Sequence, residues 1–463
     1  IYLVFGVTEE NQLKFLHFSS KPFEGLNESE LFMKEGFQLV QVNFSGYNRP
    51  YEKHGNKHIV TAPGYLLTFV ELKDERNETG RKLTFIQKDE MTGAKVITYW
   101  QFYQGTSVIR MYNEVINEGS EEQTLEYLSS FYYLGIEKEG KLSSDDKMSL
   151  TYACHGWQKE MNFRTNTFPE LGFGQTQPTV YQRTSVTFEL TNTGNWSTKK
   201  YLPMGYLENS EADTALFWQI EHNGSWHAEI SDVNNHFYVA LSGPTEVQSH
   251  WFKQLKPGES FTTVPVAVGV SDADFAKAMG QLTKYRRMIR RVNKDDENLP
   301  VIFNDYMNCL WAQPCSEKTY PLIEAAAEAG AEMFCIDEGW EYEKEEDRTN
   351  RLGDWRYSKT LFGKDGFFKV IETIKFKGMI PGLWLEMEVA GENSEVYKKS
   401  DDWFLTRNGV RVGGGARVFL DFRNPYVREY MLEKVRFYYN AGIRFIKNDY
   451  NDCIGNSGFD GVE

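Results

Sequence analysis

Histidine is scarce and unevenly placed: all eight, from His17 to His250, precede residue 300, so the last third of the chain has none. That absence excludes Ser-His-Asp triads, zincin helices and histidine metal clusters from this part. Cysteine is thin as well. Cys154, Cys309, Cys315, Cys335 and Cys453 are odd in number, scattered and without a CxxC pair, which argues against a disulfide framework or a zinc ribbon and points to a reducing cytoplasm. No apolar run approaches the roughly 18 residues of a membrane span, and residues 1–7 lack the basic flank and cleavage site of a signal peptide. Positive charge is in deficit: 51 Lys and Arg against 66 Asp and Glu leave a net charge of −15, which would repel a nucleic acid rather than steer it in. There is no P-loop and no GxGxxG after a strand, so no nucleotide, other cofactor or metal is implied.

What is present falls into two regimes, and 463 residues are enough for two domains. Residues 1–270 read as short Phe/Tyr/Thr/Val-rich alternating runs broken by Gly, Asn and Asp, for example 65–70 and 185–190. Such spacing predicts an antiparallel β-sandwich domain. Residues 271–299 form a linking helix and linker: Ser271, Asp272, Ala273 and Asp274 open the helix, and Arg286, Arg287, Arg290 and Arg291 lie on its solvated face. From 300 to 463 the rhythm becomes strand, loop, helix, glycine. A helix is predicted over 316–330 with Ser316 as its cap, and another around Val427, Met431 and Val435. The fold class is therefore multidomain: an N-terminal all-β sandwich, then a β/α (TIM-type) barrel of which four units, about the first half, are present. The missing initiator Met and the abrupt end suggest a fragment.

Carboxylates mark the strand ends of that second part. Apolar runs finish at Asp305, at Asp337 and Glu338, at Glu386 and Glu388, and at Asp449, the last three launched by Gly330, Gly378 and Gly442. In a parallel β/α barrel those ends share one mouth, so acids distant in sequence would converge on one substrate. Paired carboxylates with aromatic walls suit glycoside chemistry, in which one acid attacks or shields the anomeric carbon and another protonates the leaving oxygen.

Five short motifs then coincide in order and spacing: Phe334-Cys335-Ile336-Asp337-Glu338-Gly339-Trp340, Leu352-Gly353-Asp354-Trp355, the run from Gly378 through Pro381-Gly382-Leu383-Trp384-Leu385-Glu386-Met387 to Glu388, Leu420-Asp421-Phe422-Arg423-Asn424-Pro425, and Lys447-Asn448-Asp449-Tyr450-Asn451. Together they resemble glycoside hydrolase family 36, the retaining α-galactosidase family. The likeness covers the whole β/α part and extends more loosely into the sandwich through Gly156-Trp157 and residues 216–229.

The resemblance implies Asp449 as the nucleophile. Lys447 shares its strand face by the period of two, where it can reach a sugar hydroxyl and keep Asp449 ionised, or serve as a structural ion-pair partner. Asp337 matches an acid that binds galactose hydroxyls, and Glu338 stands where the family has a second Asp, a change of one methylene that bears on which sugar fits. Trp384 matches a tryptophan lining the pocket, and Tyr306 stands where the family carries a pocket Trp. Trp340 and Trp355 suit either barrel-top packing or a ligand platform. Glu386 reads as a supporting group that braces a neighbouring Arg or Lys. The family's substrate-binding Arg falls by spacing on the run 413–415, leaving Arg411 or Arg417, with Arg417 nearer. The Trp and Met that flank the family's nucleophile are Asn448 and Tyr450 here, so the glycine run with a smaller neighbour could enlarge the pocket or simply be a flexible loop.

The activity implied is retaining hydrolysis of terminal α-galactosyl linkages in oligosaccharides or glycoconjugates. The alternatives are an α-N-acetylgalactosaminidase or other α-glycosidase or transglycosylase of the same fold, and a non-catalytic sugar-binding protein. In this family the acid/base residue lies on a later strand, beyond residue 463, so these residues alone are expected to be inactive. A homo-oligomer is also implied, with the loop 46–53 a candidate to reach a neighbour's active site.

Overall fold

The computed structural model describes residues 1–25, 37–47, 57–59, 61–175, 186–233, 235–343, 350–414 and 416–449. The chain forms two compact units, Ile1–Arg290 and Arg291–Glu463. No helix among the described residues is long and apolar enough to cross a membrane.

In the first unit, strong alternation drives two antiparallel sheets. A ten-stranded sheet carries the long strands Gly80–Asp89, Ala94–Tyr103 and Val108–Asn117, in which buried and half-buried residues alternate almost without a break. A six-stranded sheet is centred on Gln123–Leu134, His236–Ser242 and Trp226–Val233, with Thr187–Asn192 at one edge. Inward side chains of both sheets share one core: Phe85, Trp100, Ile109 and Met111 from the first meet Phe131, Tyr133, Ile230 and Val239 from the second. This is face-to-face sheet packing. The run 65–70 is not all strand, because Gly64–Leu66 is a turn of 3-10 helix and the strand begins at Thr68; an apolar run alone does not separate the two.

The helix Phe275–Ile289 starts at Asp274, whose side chain accepts from the Lys277 amide. Ala278, Leu282 and Tyr285 bury against Val108, Tyr206, Phe217 and Ala267 on the outer face of the large sheet. Arg286, Arg287, Arg290 and Arg291 are exposed.

The second unit holds a four-stranded parallel sheet in the order Ile302–Asn304, Met333–Ile336, Ile380–Leu385, Phe445–Asn448. Three helices, Ser316–Glu328, Lys359–Phe376 and Pro425–Ala441, connect them. Gly330, Gly378 and Gly442 each stand at positive φ just past a helix, where a side chain would be strained. Ser316 does not cap its helix. Cys315, extended at φ −149°, occupies the cap position without a side-chain bond, and Ser316 is the first helical residue.

Candidate active site

The parallel register places the ends of all four strands at one edge of the second unit. Trp384 pairs with Lys447 and Leu385 with Asn448, while Cys335 pairs with Asn304 on one side and Gly382 on the other. The next residues along these strands are Asp305, Asp337, Glu386 and Asp449. The Asp449 amide continues the ladder by donating to Leu385 O at 3.0 Å, which fixes the direction of its side chain.

Lys447 joins the acids. Its Nζ lies 2.8 Å from Asp337 Oδ2 and 2.9 Å from Asp449 Oδ2. Trp384 Nε1 donates to the same Asp449 oxygen at 3.1 Å. Burial pulls the Lys447 ammonium towards its neutral form, but the bonds and charges of Asp337 and Asp449 outweigh this and hold it above its ordinary value. A cation so placed bridges both carboxylates and offsets their negative charge. Exposure sorts their roles: the Asp337 side chain is 3% exposed, whereas that of Asp449 is 43%. The cluster therefore opens to solvent at Asp449.

Two residues at the end of the first strand support Asp337 from below: Asn304, which the sequence did not single out, and the strand-end acid Asp305. Asn304 donates its side-chain amide to Asp337 Oδ2, and the Asp337 amide donates to Asp305 Oδ1 at 2.8 Å. Asp305 is buried, and chiefly for that reason its carboxyl is pushed up to about 7, with the Asp337 charge adding to the effect. The available signal was the pair Asn304-Asp305 closing the first strand. Glu338, beside Asp337, accepts from the Tyr342 hydroxyl, a partner that the sequence did not suggest.

Other candidates sit at the margin. Arg417 donates from Nη1 to both oxygens of Glu386 at 2.9 Å, so Glu386 does brace an arginine. Arg411 bonds Asp401 and two backbone carbonyls instead. Tyr306 follows Asp305 at the start of an irregular turn, its ring 5.6 Å from that of Trp311. Trp340 and Trp355 are packing residues: both are buried and stacked on each other, and Trp340 Nε1 donates to Trp384 O at 3.0 Å. Trp384 is itself largely buried, with Trp355 edge-on at 5.9 Å. Asn448 donates to Glu388 Oε1 at 3.1 Å. Tyr450, Gly415 and positions 48–53 of the loop 46–53 lie outside the described residues.

The motif Leu352-Gly353-Asp354-Trp355 proves to be scaffold. Asp354 accepts from the amides of Glu395 and Val396 and so anchors the short turn Val396–Lys398. Gly353 stands at φ +103°, and a Cβ there would come within 2.6 Å of Val396 Cγ1.

Residues 260–463 match the melibiase family model. The chain is 32% identical over 203 residues to the α-galactosidase AgaA of Geobacillus stearothermophilus, covering 42% of this chain and 27% of that one. It is 28% identical over 269 residues to the bifunctional α-galactosidase/sucrose kinase AgaSK of Mediterraneibacter gnavus, covering 56% and 28%. The matched segments thus cover under a third of the length of these two relatives. Among solved structures, the α-galactosidase AgaB of Geobacillus stearothermophilus shares the fold at a TM-score of 0.78 with 19% identity, over 98% of this chain and 64% of that one. A variant of AgaA from the same organism, in complex with raffinose, aligns at 0.77 with 19% identity, over 98% and 65%. The resemblance to glycoside hydrolase family 36 therefore holds: residues 260–463 match the melibiase model, and the curated relatives and solved structures that this chain resembles are α-galactosidases.

Proposed function

We propose that this chain carries the nucleophile half of a retaining α-galactosidase, and that its four-stranded parallel sheet is about the first half of a (β/α)8 barrel. One observation carries the reading: Asp449, Asp337, Trp384 and Lys447, drawn from three strand ends, meet in a single hydrogen-bonded cluster that opens at Asp449. Asp449 attacks the anomeric carbon, the glycosidic C–O bond breaks through an oxocarbenium-like transition state, and a β-galactosyl ester forms that water then cleaves. Lys447 and Trp384 hold the attacking carboxylate ionised and oriented. Asp337 and Glu338 bind sugar hydroxyls, Tyr306 provides a wall, and Arg417, locked by Glu386, limits the far side. The substrate class is an α-galactoside oligosaccharide, in line with the raffinose complex of the structural relative. The division into a sandwich (1–270), a linking helix and linker (271–299) and a barrel portion (300–463), the cytoplasmic location and a homo-oligomeric state belong to the same proposal.

The test is covalent trapping in the full-length protein. A 5-fluoro-α-galactosyl fluoride loses fluoride without needing a proton donor, and its adduct is mapped by peptide mass. A label on Asp449 is expected; a label on another carboxylate, or turnover that survives Asp449→Ala, overturns the assignment. Asn448 in place of the family's tryptophan beside the nucleophile favours one second reading, an α-N-acetylgalactosaminidase, whose 2-acetamido group needs more room. Paired assays with nitrophenyl α-galactoside and its 2-acetamido counterpart separate the two.

A further inference from the structure

Within the β-sandwich unit, two buried side chains stand side by side on the strand Trp226–Val233. His227 and Glu229 are two residues apart, so the pleat puts them on one face. His58, far away in sequence, brings its ring to the same spot, edge-on to His227 with centroids 5.6 Å apart. One ring nitrogen from each histidine and one Glu229 oxygen all lie within 4.8 Å of one another, and the three residues are 1%, 1% and 0% exposed.

We propose that His58, His227 and Glu229 form a structural site for a divalent transition-metal ion of the zinc type, tying residues 57–59 to the six-stranded sheet. The facing atoms give the first argument. His227 Nε2 and Glu229 Oε2 are 3.6 Å apart, too long for a hydrogen bond, and neither atom has a hydrogen-bond partner. A buried polar atom left so is costly. In a tetrahedral zinc site with bonds of about 2.1 Å, neighbouring ligand atoms stand roughly 3.4 Å apart, which is nearly this spacing.

The surrounding bonds give the second argument. Thr191, directly opposite His227 in the sheet register, meets His227 Nδ1 at 2.8 Å through its hydroxyl. Gln248 Oε1 lies 3.0 Å from His58 Nε2; an amide oxygen only accepts, so Nε2 carries the proton and Nδ1 the lone pair. The other Glu229 oxygen, Oε1, accepts from the Tyr238 hydroxyl and from the His58 amide at 3.3 Å. Each ligand is thus held from behind with its remaining atom aimed inward, the arrangement that orients metal ligands. Two nitrogens and one oxygen suit zinc better than calcium or magnesium, which take oxygen sets.

The full chain is refolded from denaturant with zinc chloride, with cobalt chloride, or with EDTA, then dialysed. About one zinc per folded chain is expected, together with visible cobalt bands of tetrahedral intensity and a melting temperature several degrees above that of the EDTA sample. Glu229→Gln and His227→Gln should each lower retained zinc at least about tenfold. Folded wild-type chain that retains no zinc and shows no tetrahedral cobalt spectrum overturns the proposal. So does a folded Glu229→Gln chain that binds zinc as wild type does. The wild-type cobalt spectrum decides the matter even where a variant fails to fold.

Discussion

Asp337 and Lys447 meet at 2.8 Å although a whole strand, Ile380–Leu385, runs between theirs. Flat sheet geometry would separate those strands by about 9.6 Å. The long lysine side chain closes that gap, so one ammonium serves two carboxylates that the sheet would otherwise keep apart.

Asp449→Ala should abolish turnover, lowering kcat by at least about a thousandfold while sugar binding persists. Azide added to Asp449→Gly should restore part of the rate and give the β-galactosyl azide, because the external anion replaces the missing carboxylate on the β side of the sugar and inverts the anomeric centre. Product NMR reads the configuration; a variant that still turns over raffinose at the wild-type rate removes Asp449 from the chemistry.

Lys447→Met should lower kcat/KM by about ten- to a hundredfold. Without the ammonium, Asp337 and Asp449 repel each other and Asp449 holds its proton to higher pH. The acid limb of the pH–rate profile should therefore move upward, and a profile that does not move assigns Lys447 to sugar contact alone.

How much of this was legible in the sequence depended on locality. Strand-end acids could be placed because a two-residue period and a helix-closing glycine are short-range signals, and Lys447 with Asp449 needed only that period. The surroundings of Asp337 were readable in part. Its convergence with Asp305 and Lys447 followed from parallel strand ends, whereas the Asn304 bond depends on the exact pairing of the first two strands, a long-range event to which nothing near residue 337 points. The same limit hid His58, which meets His227 and Glu229 only after the sandwich closes. Ser316 illustrates the opposite error, a good capping residue one position too late because Cys315 takes the extended cap.

Glu341 sits wholly buried behind the site with its carboxyl pushed up to about 8, mainly by burial and further by Glu338 and Asp337. Between its ordinary value of 4.5 and about 8 the folded chain holds a proton that the unfolded chain has released. Stability therefore falls as pH rises through that window. Glu341→Gln should flatten the profile, gaining on the order of 4 kcal/mol relative to wild type between about pH 5 and pH 8.5. Urea midpoints at the two pH values measure it; parallel profiles for the two proteins would contradict the prediction.

The Arg417 and Glu386 pair is buried enough to matter, at 12% and 2% side-chain exposure. Glu386→Ala removes the carboxylate to which Arg417 Nη1 donates twice and should destabilise the chain by about 3 kcal/mol. Adding Arg417→Met should recover part of that loss in urea unfolding if the loss is one of charge pairing; a double variant no better than the single one would show that packing, not charge, was lost.

Gly353 and Asp354 grip a turn rather than a sugar. Evolution could therefore erase the nucleophile while leaving this signature intact, and a pseudoenzyme of that descent would still fold and still be recognised by it. Surveys of such proteins should score activity on Lys447 and Asp449, and ancestry on the grip around Val396.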